Sequence, residues 1–147
     1  MRLTDFTDFG LRALMRLAAE PGRIFTTDEI ANEFGLSRNH LMKIVQELAK
    51  AGFVVTQRGA MGGFRLSRPP SDMPLGEIVR ALEHRHALVE CFRADGGSCS
   101  LTPDCRLKGK LAAARLAFYS QLNNSTLADC VYPAPRDRLK SVASLTR

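Results

Sequence analysis

The sequence lacks any apolar run of about 18 residues, so it contains no candidate transmembrane helix. Its start, MRLTDFTDFG, is acidic and lacks the hydrophobic centre of a signal peptide, and we therefore expect a cytoplasmic protein. The reducing cytoplasm disfavours structural disulfides, so the four cysteines indicate metal binding or redox chemistry instead. A length of 147 residues predicts one compact domain with an appended element.

Negative charge is nearly absent from residues 37–68. This window has one acidic side chain and contributes +5 to the formal net charge of +6. A local basic patch is typical of a protein that binds a polyanion, most often nucleic acid, although a merely solvated surface is the alternative. The six positive residues are Arg38, Lys43, Lys50, Arg58, Arg65 and Arg68.

The first half of the chain predicts three amphipathic helices. The first covers residues 5–19 after a Thr4 cap, the second starts at Thr26 or Thr27 and ends at Gly35, and the third runs from Ser37 to Gly52. The second and third, joined by a tight glycine turn, predict a helix-turn-helix whose last helix is the recognition helix. Its polar residues that can reach phosphates and base edges are Ser37, Arg38, Asn39, His40 and Lys43.

Two short alternating segments follow the third helix. FVVTQ and GFRLS read as strands around RGAMG, whose glycines permit the positive φ angles of a hairpin loop. A helix-turn-helix followed by a basic hairpin predicts a winged helix, with a helical domain lacking any DNA role as the alternative. We expect Arg65 and Arg68 mainly to bind phosphates.

The prolines of SRPPSDM mark a linker, so we predict a winged helix-turn-helix domain at residues 1–72. LGEIVRALE and a long segment from about residue 103 to 123 read as helices in a second region, residues 73–131, and residues 132–147 read as a flexible tail. The fold class is therefore mainly α with a small β-wing and a long helix. That helix has an apolar seam that predicts dimerisation, or else packing on its own domain, through Leu107, Leu111, Ala114, Phe118 and Leu122.

The loop CFRADGGSCSLTPDC contains Cys91, Cys99 and Cys105. A catalytic thiol needs a base and an orienting group, but only His84 and His86 are nearby, so we expect no enzyme. Structural zinc usually uses a CxxC pair, whereas seven and five residues separate these cysteines. An iron–sulfur cluster is a larger object that thiolates of a flexible loop can surround. The spacing alone leaves cluster and zinc open.

Several stretches occur together in this order: MRLTDFTDFGLRALM, SRNHLMKIVQELAKAGFV, RGAMGGFRLSRP, LGEIVRALE, the three cysteines, CRLK and TLADCV. Over residues 1–131 the chain resembles the iron–sulfur-dependent winged-helix repressors of the Rrf type, in particular the nitric-oxide-sensing NsrR type. The resemblance implies a homodimer that binds a double-stranded DNA operator and responds to nitric oxide. It also implies Arg58 in the minor groove, and cluster ligands Cys91, Cys99, Cys105 and Asp8 from the partner subunit.

Two departures bear on the cluster and its signal. Histidine-ligated [2Fe–2S] relatives have a histidine where this chain has Lys108, which favours [4Fe–4S] over [2Fe–2S]. A long gap between the first two cysteines also occurs in iron-responsive relatives, so sensing of iron or cluster status is an alternative function. A cluster-free DNA-binding module with a zinc-stabilised loop is the alternative from another class. Cys130 reads as a small core residue.

Overall fold

The computed structural model describes residues 2–102 and 104–131. This part of the chain contains α1 (Asp5–Ala18), α2 (Thr27–Phe34), α3 (Arg38–Lys50), the strands β1 (Val54–Gln57) and β2 (Gly63–Leu66), α4 (Leu75–Glu83) and α5 (Arg106–Leu122). Short 3-10 turns occupy Pro70–Asp72, Glu90–Phe92 and Leu127–Cys130. The predicted fold class, mainly helical with one small two-stranded sheet, is confirmed. The predicted tail, residues 132–147, lies outside the described residues.

The three predicted N-caps start their helices. The hydroxyls of Thr4, Thr26 and Ser37 each accept a hydrogen bond from the backbone N–H three residues later, at 3.3, 3.1 and 3.2 Å. Each cap satisfies a backbone donor that the first helical turn leaves free. Gly35 ends α2 with φ +65°, a left-handed conformation that glycine adopts without strain. The tight turn between α2 and α3 therefore follows from local sequence.

One apolar core holds together the elements from α1 to α4 and the turn Leu127–Cys130. Gly10 lets α1 approach α4 closely, since a Cβ at this position would lie 2.8 Å from Cδ1 of Leu82. Met73 and Leu127 are buried in the same core, so packing continues across the predicted linker at residue 72. Its largest fully buried apolar side chains are Leu14, Leu17, Phe25, Ile30, Leu41, Ile44, Leu48, Phe64, Met73, Ile78 and Leu127.

The wing is an antiparallel hairpin. β1 pairs with β2 in a register that runs from Val54 opposite Leu66 to Gln57 opposite Gly63. Phe25 adds one further bridge, because it exchanges two backbone hydrogen bonds of 2.9 Å with Phe64. The hairpin is thereby joined to the segment before α2, which places the wing loop, residues 58–62, beside the helix-turn-helix.

The long helix α5 begins at Arg106, three residues later than the sequence predicts. Cys105 is its N-cap residue, with an extended backbone and no side-chain capping bond. The C-terminal half of α5 packs on α4, where a Cβ on Gly76 would lie 2.1 Å from the Tyr119 carbonyl oxygen. Asn123 Oδ1 also accepts a 3.1 Å hydrogen bond from the Glu77 backbone. No helix in the described part of the chain is long and apolar enough to cross a bilayer.

Candidate DNA interface and cysteine loop

The first turns of α3 present polar side chains to solvent. Arg38, Asn39 and Lys43 are exposed, and Ser37 is occupied in capping the helix. Arg38 Nε lies 3.3 Å from Asp28 Oδ1 in the first turn of α2, with both side chains more than half exposed. An exposed ion pair of this kind contributes little free energy, so a phosphate can replace the Asp28 carboxylate.

His40 is placed differently from the other polar residues of this turn. Its ring lies edge-on to Phe6 and Phe9 of α1, with centroid distances of 6.1 and 6.0 Å. Its Nε2 is enclosed and has no hydrogen-bond partner among the described residues. The ring is therefore directed at α1, and contact of His40 with DNA stays a prediction.

Two further residues share the exposed face of α3. Met42 and Gln46 are exposed, and they lie at helical spacing from Asn39 and Lys43. Sequence analysis missed them because it selected the polar residues of the first turns. The spacing 39, 42, 43 and 46 is the signal that identifies this face, since residues three or four apart are neighbours on a helix.

The wing loop is compact and begins with a positively charged residue. Arg58 is its first residue and is exposed. Gly59 has φ +104°, and its carbonyl oxygen accepts a 2.9 Å hydrogen bond from Gly62. A Cβ on Gly62 would lie 2.6 Å from the Gln57 carbonyl oxygen, so the loop closes only with glycine there. This rigid turn holds Arg58 at the end of the hairpin.

The other two wing arginines make contacts within the protein. Arg65 is exposed and donates from Nη1 to the Leu66 carbonyl oxygen at 3.3 Å. Arg68 lies over the Phe53 ring at 5.3 Å, and its Nη2 is 4.0 Å from Glu77 Oε2. Arg65 is thus available along the hairpin, whereas Arg68 also supports its base.

The single acidic residue of the basic window is surrounded by cations. Glu47 on α3 receives Lys50 Nζ at 2.9 Å and Arg85 Nη2 at 2.7 Å, and His84 Nε2 is 3.9 Å away. The hydrogen bond from Lys50, followed by the charge of Arg85, holds the pKa of Glu47 below its ordinary value against the opposing effect of desolvation. Glu47 therefore links α3 to the segment that leads into the cysteine loop.

All four cysteines are free, half-buried thiols. Cys91 lies in the turn Glu90–Phe92, Cys105 precedes α5, and Cys130 lies in the turn Leu127–Cys130. Within residues 2–102 and 104–131, no three His, Cys, Asp or Glu side chains converge closely enough to hold one metal ion. Three thiols are nevertheless donors of the kind that an iron–sulfur group uses, so Cys91, Cys99 and Cys105 could hold such a group.

The cysteine loop has an internal hydrogen-bond framework. Glu90 Oε1 accepts from the backbone N–H of Ser98 at 3.0 Å and from its hydroxyl at 2.8 Å. These two bonds lower the pKa of the Glu90 carboxyl, in that order of importance. Asp95 Oδ1 accepts from the Gly97 backbone at 3.0 Å, and Gly97 has φ +63°. The loop is thus folded back on itself between Cys91 and Cys99.

One contact joins this loop to the long helix. The Arg115 guanidinium of α5 lies 4.6 Å from the centroid of the Phe92 ring, directly after Cys91. A cation placed over an aromatic face is attracted to it. The position of the turn that carries Cys91 is therefore coupled to α5.

Asp8 lies near the start of α1 and is half exposed. Its Oδ2 is 2.7 Å from Arg12 Nη2, an ion pair between residues one helical turn apart. A carboxylate near a helix N-terminus is also favoured by the helix dipole. Both interactions are local to α1, and the ion pair engages only one of the two carboxylate oxygens, so a role of Asp8 as a ligand for a second subunit stays a prediction.

The predicted seam of α5 is largely uncovered. No side chain of α5, all of which the structure describes, is fully buried. Leu107 is 61% exposed and Ala114 is exposed, whereas Leu111, Phe118 and Leu122 are half-buried. Leu116, which sequence analysis missed, is 58% exposed.

The chain matches the Rrf2 family, described as iron-dependent transcriptional regulators, over residues 3–133. It belongs to the Rrf2 family. The protein is thus a DNA-binding transcriptional regulator, and its family is one of regulators rather than enzymes. The winged-helix interpretation of the helix-turn-helix and hairpin is confirmed at this level.

Three solved structures illustrate the relationship. The global cysteine regulator CymR of B. subtilis shares 29% identity over 88% of this chain and 95% of its own, with a TM-score of 0.66. The oxidised form of Staphylococcus aureus CymR shares 29% identity over 87% and 94% of the two chains, with a TM-score of 0.64. IscR of T. potens shares 29% identity over 88% and 85%, with a TM-score of 0.64.

Proposed function

We propose that this Rrf2 regulator is a homodimeric repressor whose operator binding is controlled by an iron–sulfur cluster that reacts with nitric oxide. The observation that carries the proposal is the position of the thiols. Cys91, Cys99 and Cys105 are free. The segment that leads into their loop is joined to α3 through the Arg85–Glu47 contact, and the loop itself is joined to α5 through the Arg115–Phe92 contact. A structural change at these thiols would therefore affect both α3, the recognition helix, and α5, the proposed dimerisation helix.

The side chains present favour a cluster over zinc. The three thiols share a loop, but they do not converge as the ligands of a single ion must. The position three residues after Cys105 is Lys108, whose ammonium group has no lone pair to donate. This supports [4Fe–4S] over a histidine-ligated [2Fe–2S] cluster, with Asp8 of the partner subunit as the proposed fourth ligand.

DNA contact follows from the exposed face of α3 and the wing. A dimer would place two α3 helices in successive major grooves, about 34–36 Å apart. Arg38, Asn39 and Lys43 would face the bases and phosphates of the operator, and Arg58 would enter the minor groove. We propose Ser37, His40, Arg65 and Arg68 as the remaining contacts. The exposed leucines of α5 support the second copy, because apolar side chains of this size are usually covered.

For the cluster to control operator binding, the dimer must have two arrangements whose relative stability the cluster changes. Cys91, Cys99 and Cys105 would hold the cluster, and the cluster would supply iron that can react with nitric oxide. Phe92 directly follows Cys91 and lies under the Arg115 guanidinium, so the position of the turn that carries Cys91 is coupled to the position of α5. The cluster must therefore stabilise the DNA-binding arrangement more than the other. A coupling of about 1–3 kcal/mol changes operator affinity about 5- to 150-fold.

The test is anaerobic purification followed by iron and sulfide analysis, a visible spectrum and stepwise addition of nitric oxide. We expect about four irons per chain, bleaching by nitric oxide and parallel release of operator DNA. Cys99→Ala should abolish both the visible band and nitric-oxide-sensitive binding. Cys130→Ala, a matched change outside the loop, should leave both intact. Retained nitric-oxide-sensitive binding in Cys99→Ala would contradict the ligand assignment.

Sensing of iron or cluster status is the second candidate. It is favoured by the description of the family as iron-dependent regulators and by the seven residues between Cys91 and Cys99. The discriminating experiment compares DNA release by nitric oxide with release by an iron chelator in air. Release by the chelator alone would support iron sensing. A colourless protein that contains zinc would support the zinc-stabilised DNA-binding module instead.

A further inference from the structure

Glu90 and Ser98 occupy matching positions in the cysteine loop. Glu90 directly precedes Cys91, and Ser98 directly precedes Cys99. The Glu90 carboxylate accepts two hydrogen bonds from Ser98, at 3.0 Å from the backbone and 2.8 Å from the hydroxyl. One acidic side chain therefore connects the residues that stand immediately before two cysteines separated by seven residues.

The backbone of the loop is built around this contact. Gly97 has φ +63°, and a Cβ there would lie 2.6 Å from the Glu90 carbonyl oxygen. The chain thus passes directly over the main chain of Glu90 before it reaches Cys99. Gly96 also has a positive φ of 78°, so two successive glycines make the reversal.

No ion pair in the described part of the chain includes the Glu90 carboxylate. Arg93, in the same loop, acts on this carboxylate electrostatically, but its own ion pair is with Asp95, at 2.7 Å. Both described hydrogen bonds of the Glu90 side chain go to Ser98. Without these two bonds, water would hydrate the exposed Glu90 carboxylate instead. The two bonds therefore contribute to the shape of the loop.

We propose that Glu90 is a positioning residue of the cysteine loop, whose carboxylate holds the segment between Cys91 and Cys99 folded back so that the two thiols are presented as a pair. The proposal rests on the proposed function in one respect: the pair is presented to an iron–sulfur cluster. Ordering a flexible loop costs conformational entropy at every residue. A loop that is already folded before the cluster binds has lost that entropy beforehand, and this lowers the cost of binding.

The first test needs no cluster. In a full-length chain with Cys105→Ser and Cys130→Ser, only Cys91 and Cys99 remain, and their effective concentration is measured from disulfide formation in glutathione buffers. Glu90→Ala should lower this effective concentration by about 5- to 30-fold, because two hydrogen bonds that close the loop are lost. Glu90→Gln keeps an acceptor oxygen and should recover most of the loss.

The matched control is Asp104→Ala, which removes the same charge from the same loop at a position outside the described hydrogen bonds and ion pairs of the loop. We expect it to change the effective concentration by less than about twofold. An equal loss in Asp104→Ala and Glu90→Ala would overturn the proposal, since loss of negative charge from the loop would then explain both. An unchanged value in Glu90→Ala would overturn it as well.

The second test uses the four-cysteine protein. The Glu90→Ala protein should release iron to a chelator faster than wild type, and the visible circular dichroism of its bound group should differ. The Ser98→Thr protein keeps both hydrogen-bond donors and should match wild type in both measurements. The same release rate and spectrum in Glu90→Ala would contradict the proposal. If wild type binds no iron while the first test succeeds, the proposed function fails but the positioning role of Glu90 stands.

Discussion

Arg85 donates a hydrogen bond of 2.7 Å to Glu47, and this contact joins two parts of the chain that are 38 residues apart. Glu47 lies on the recognition helix, and Arg85 lies just after α4 on the segment that leads to Cys91. The Glu47 side chain is only 12% exposed, so its charge is partly shielded from water. The contact connects the segment that leads into the cysteine loop with the helix that carries the proposed DNA-binding face.

Replacement of Arg85 should therefore weaken the coupling between the cluster and the operator. We expect Arg85→Ala to lower the ratio of cluster-bound to cluster-free affinity by up to about fivefold, because an ion pair whose arginine is 62% exposed is worth at most about 1 kcal/mol. Lys50→Ala is the control. Lys50 also pairs with Glu47, but the two residues lie on the same helix, α3. The cluster-bound and cluster-free proteins should therefore lose operator affinity equally. The measurement is fluorescence anisotropy of an operator duplex with each form. An unaltered ratio in Arg85→Ala would exclude this route.

Arg38→Ala should weaken operator binding without affecting the cysteine loop. The loss of a base or phosphate contact should cost about 1–3 kcal/mol in binding free energy. Asp28→Asn is the informative companion, since it frees Arg38 from its 3.3 Å ion pair and should leave binding equal or tighter. The readouts are operator affinity and visible absorbance in parallel. Loss of both in Arg38→Ala would indicate damage to the fold rather than a lost contact.

Asp8→Ala should make the cluster more labile without preventing dimerisation of the cluster-free protein. The matched control is Asp5→Ala, because Asp5 is also an acidic residue in the first turn of α1 and pairs with Arg2 at 3.2 Å. Both variants lose a similar helix-end charge, but only Asp8 is a proposed ligand. The rate of bleaching by nitric oxide and sedimentation velocity provide the two readouts. Equal bleaching rates in the two variants would leave Asp8 with only its ion pair to Arg12 and its favourable charge near the start of α1.

Glu83 should make the stability of the fold depend on acid pH. Burial raises its pKa, but hydrogen bonds from Thr7 and from the Thr4 backbone and hydroxyl outweigh burial and lower it below the ordinary 4.5. A carboxyl whose pKa is lowered in the folded state stabilises it above the unfolded-state pKa, and this contribution is lost as pH falls through the folded-state value. Thr4 N and Oγ1 each lie 2.8 Å from Glu83 Oε1.

The corresponding variant is Glu83→Gln, measured by urea unfolding between pH 7 and strongly acidic pH. At pH 7 it should reduce the free energy of unfolding by about 1 kcal/mol, since the glutamine amide oxygen accepts the same hydrogen bonds without the charge that strengthens them. The difference from wild type should shrink as pH falls below 4.5, the ordinary pKa of glutamate. A difference that stays constant into strong acid would show that the Glu83 charge contributes nothing to stability.

Polar character alone was a poor guide to the direction of side chains on α3. His40 was selected because histidine can reach bases, yet it precedes the buried Leu41 and its ring packs on Phe6 and Phe9. Met42 and Gln46 were missed, although their helical spacing places them on the exposed face. Periodicity was the better signal here, because the angle around the helix decides which side chains face solvent.

The sequence by itself determined the ends of the first three helices, the wing hairpin and the basic window. Thr4, Thr26, Ser37 and Gly35 act through hydrogen bonds and backbone angles within about four residues, so their effect can be read locally. Only the tertiary structure decided the contacts of Glu47 with Arg85 and of Glu90 with Ser98. These pairs are brought together by the packing of α4 and by a chain reversal at two glycines, and neither has a periodic pattern from which it could be predicted.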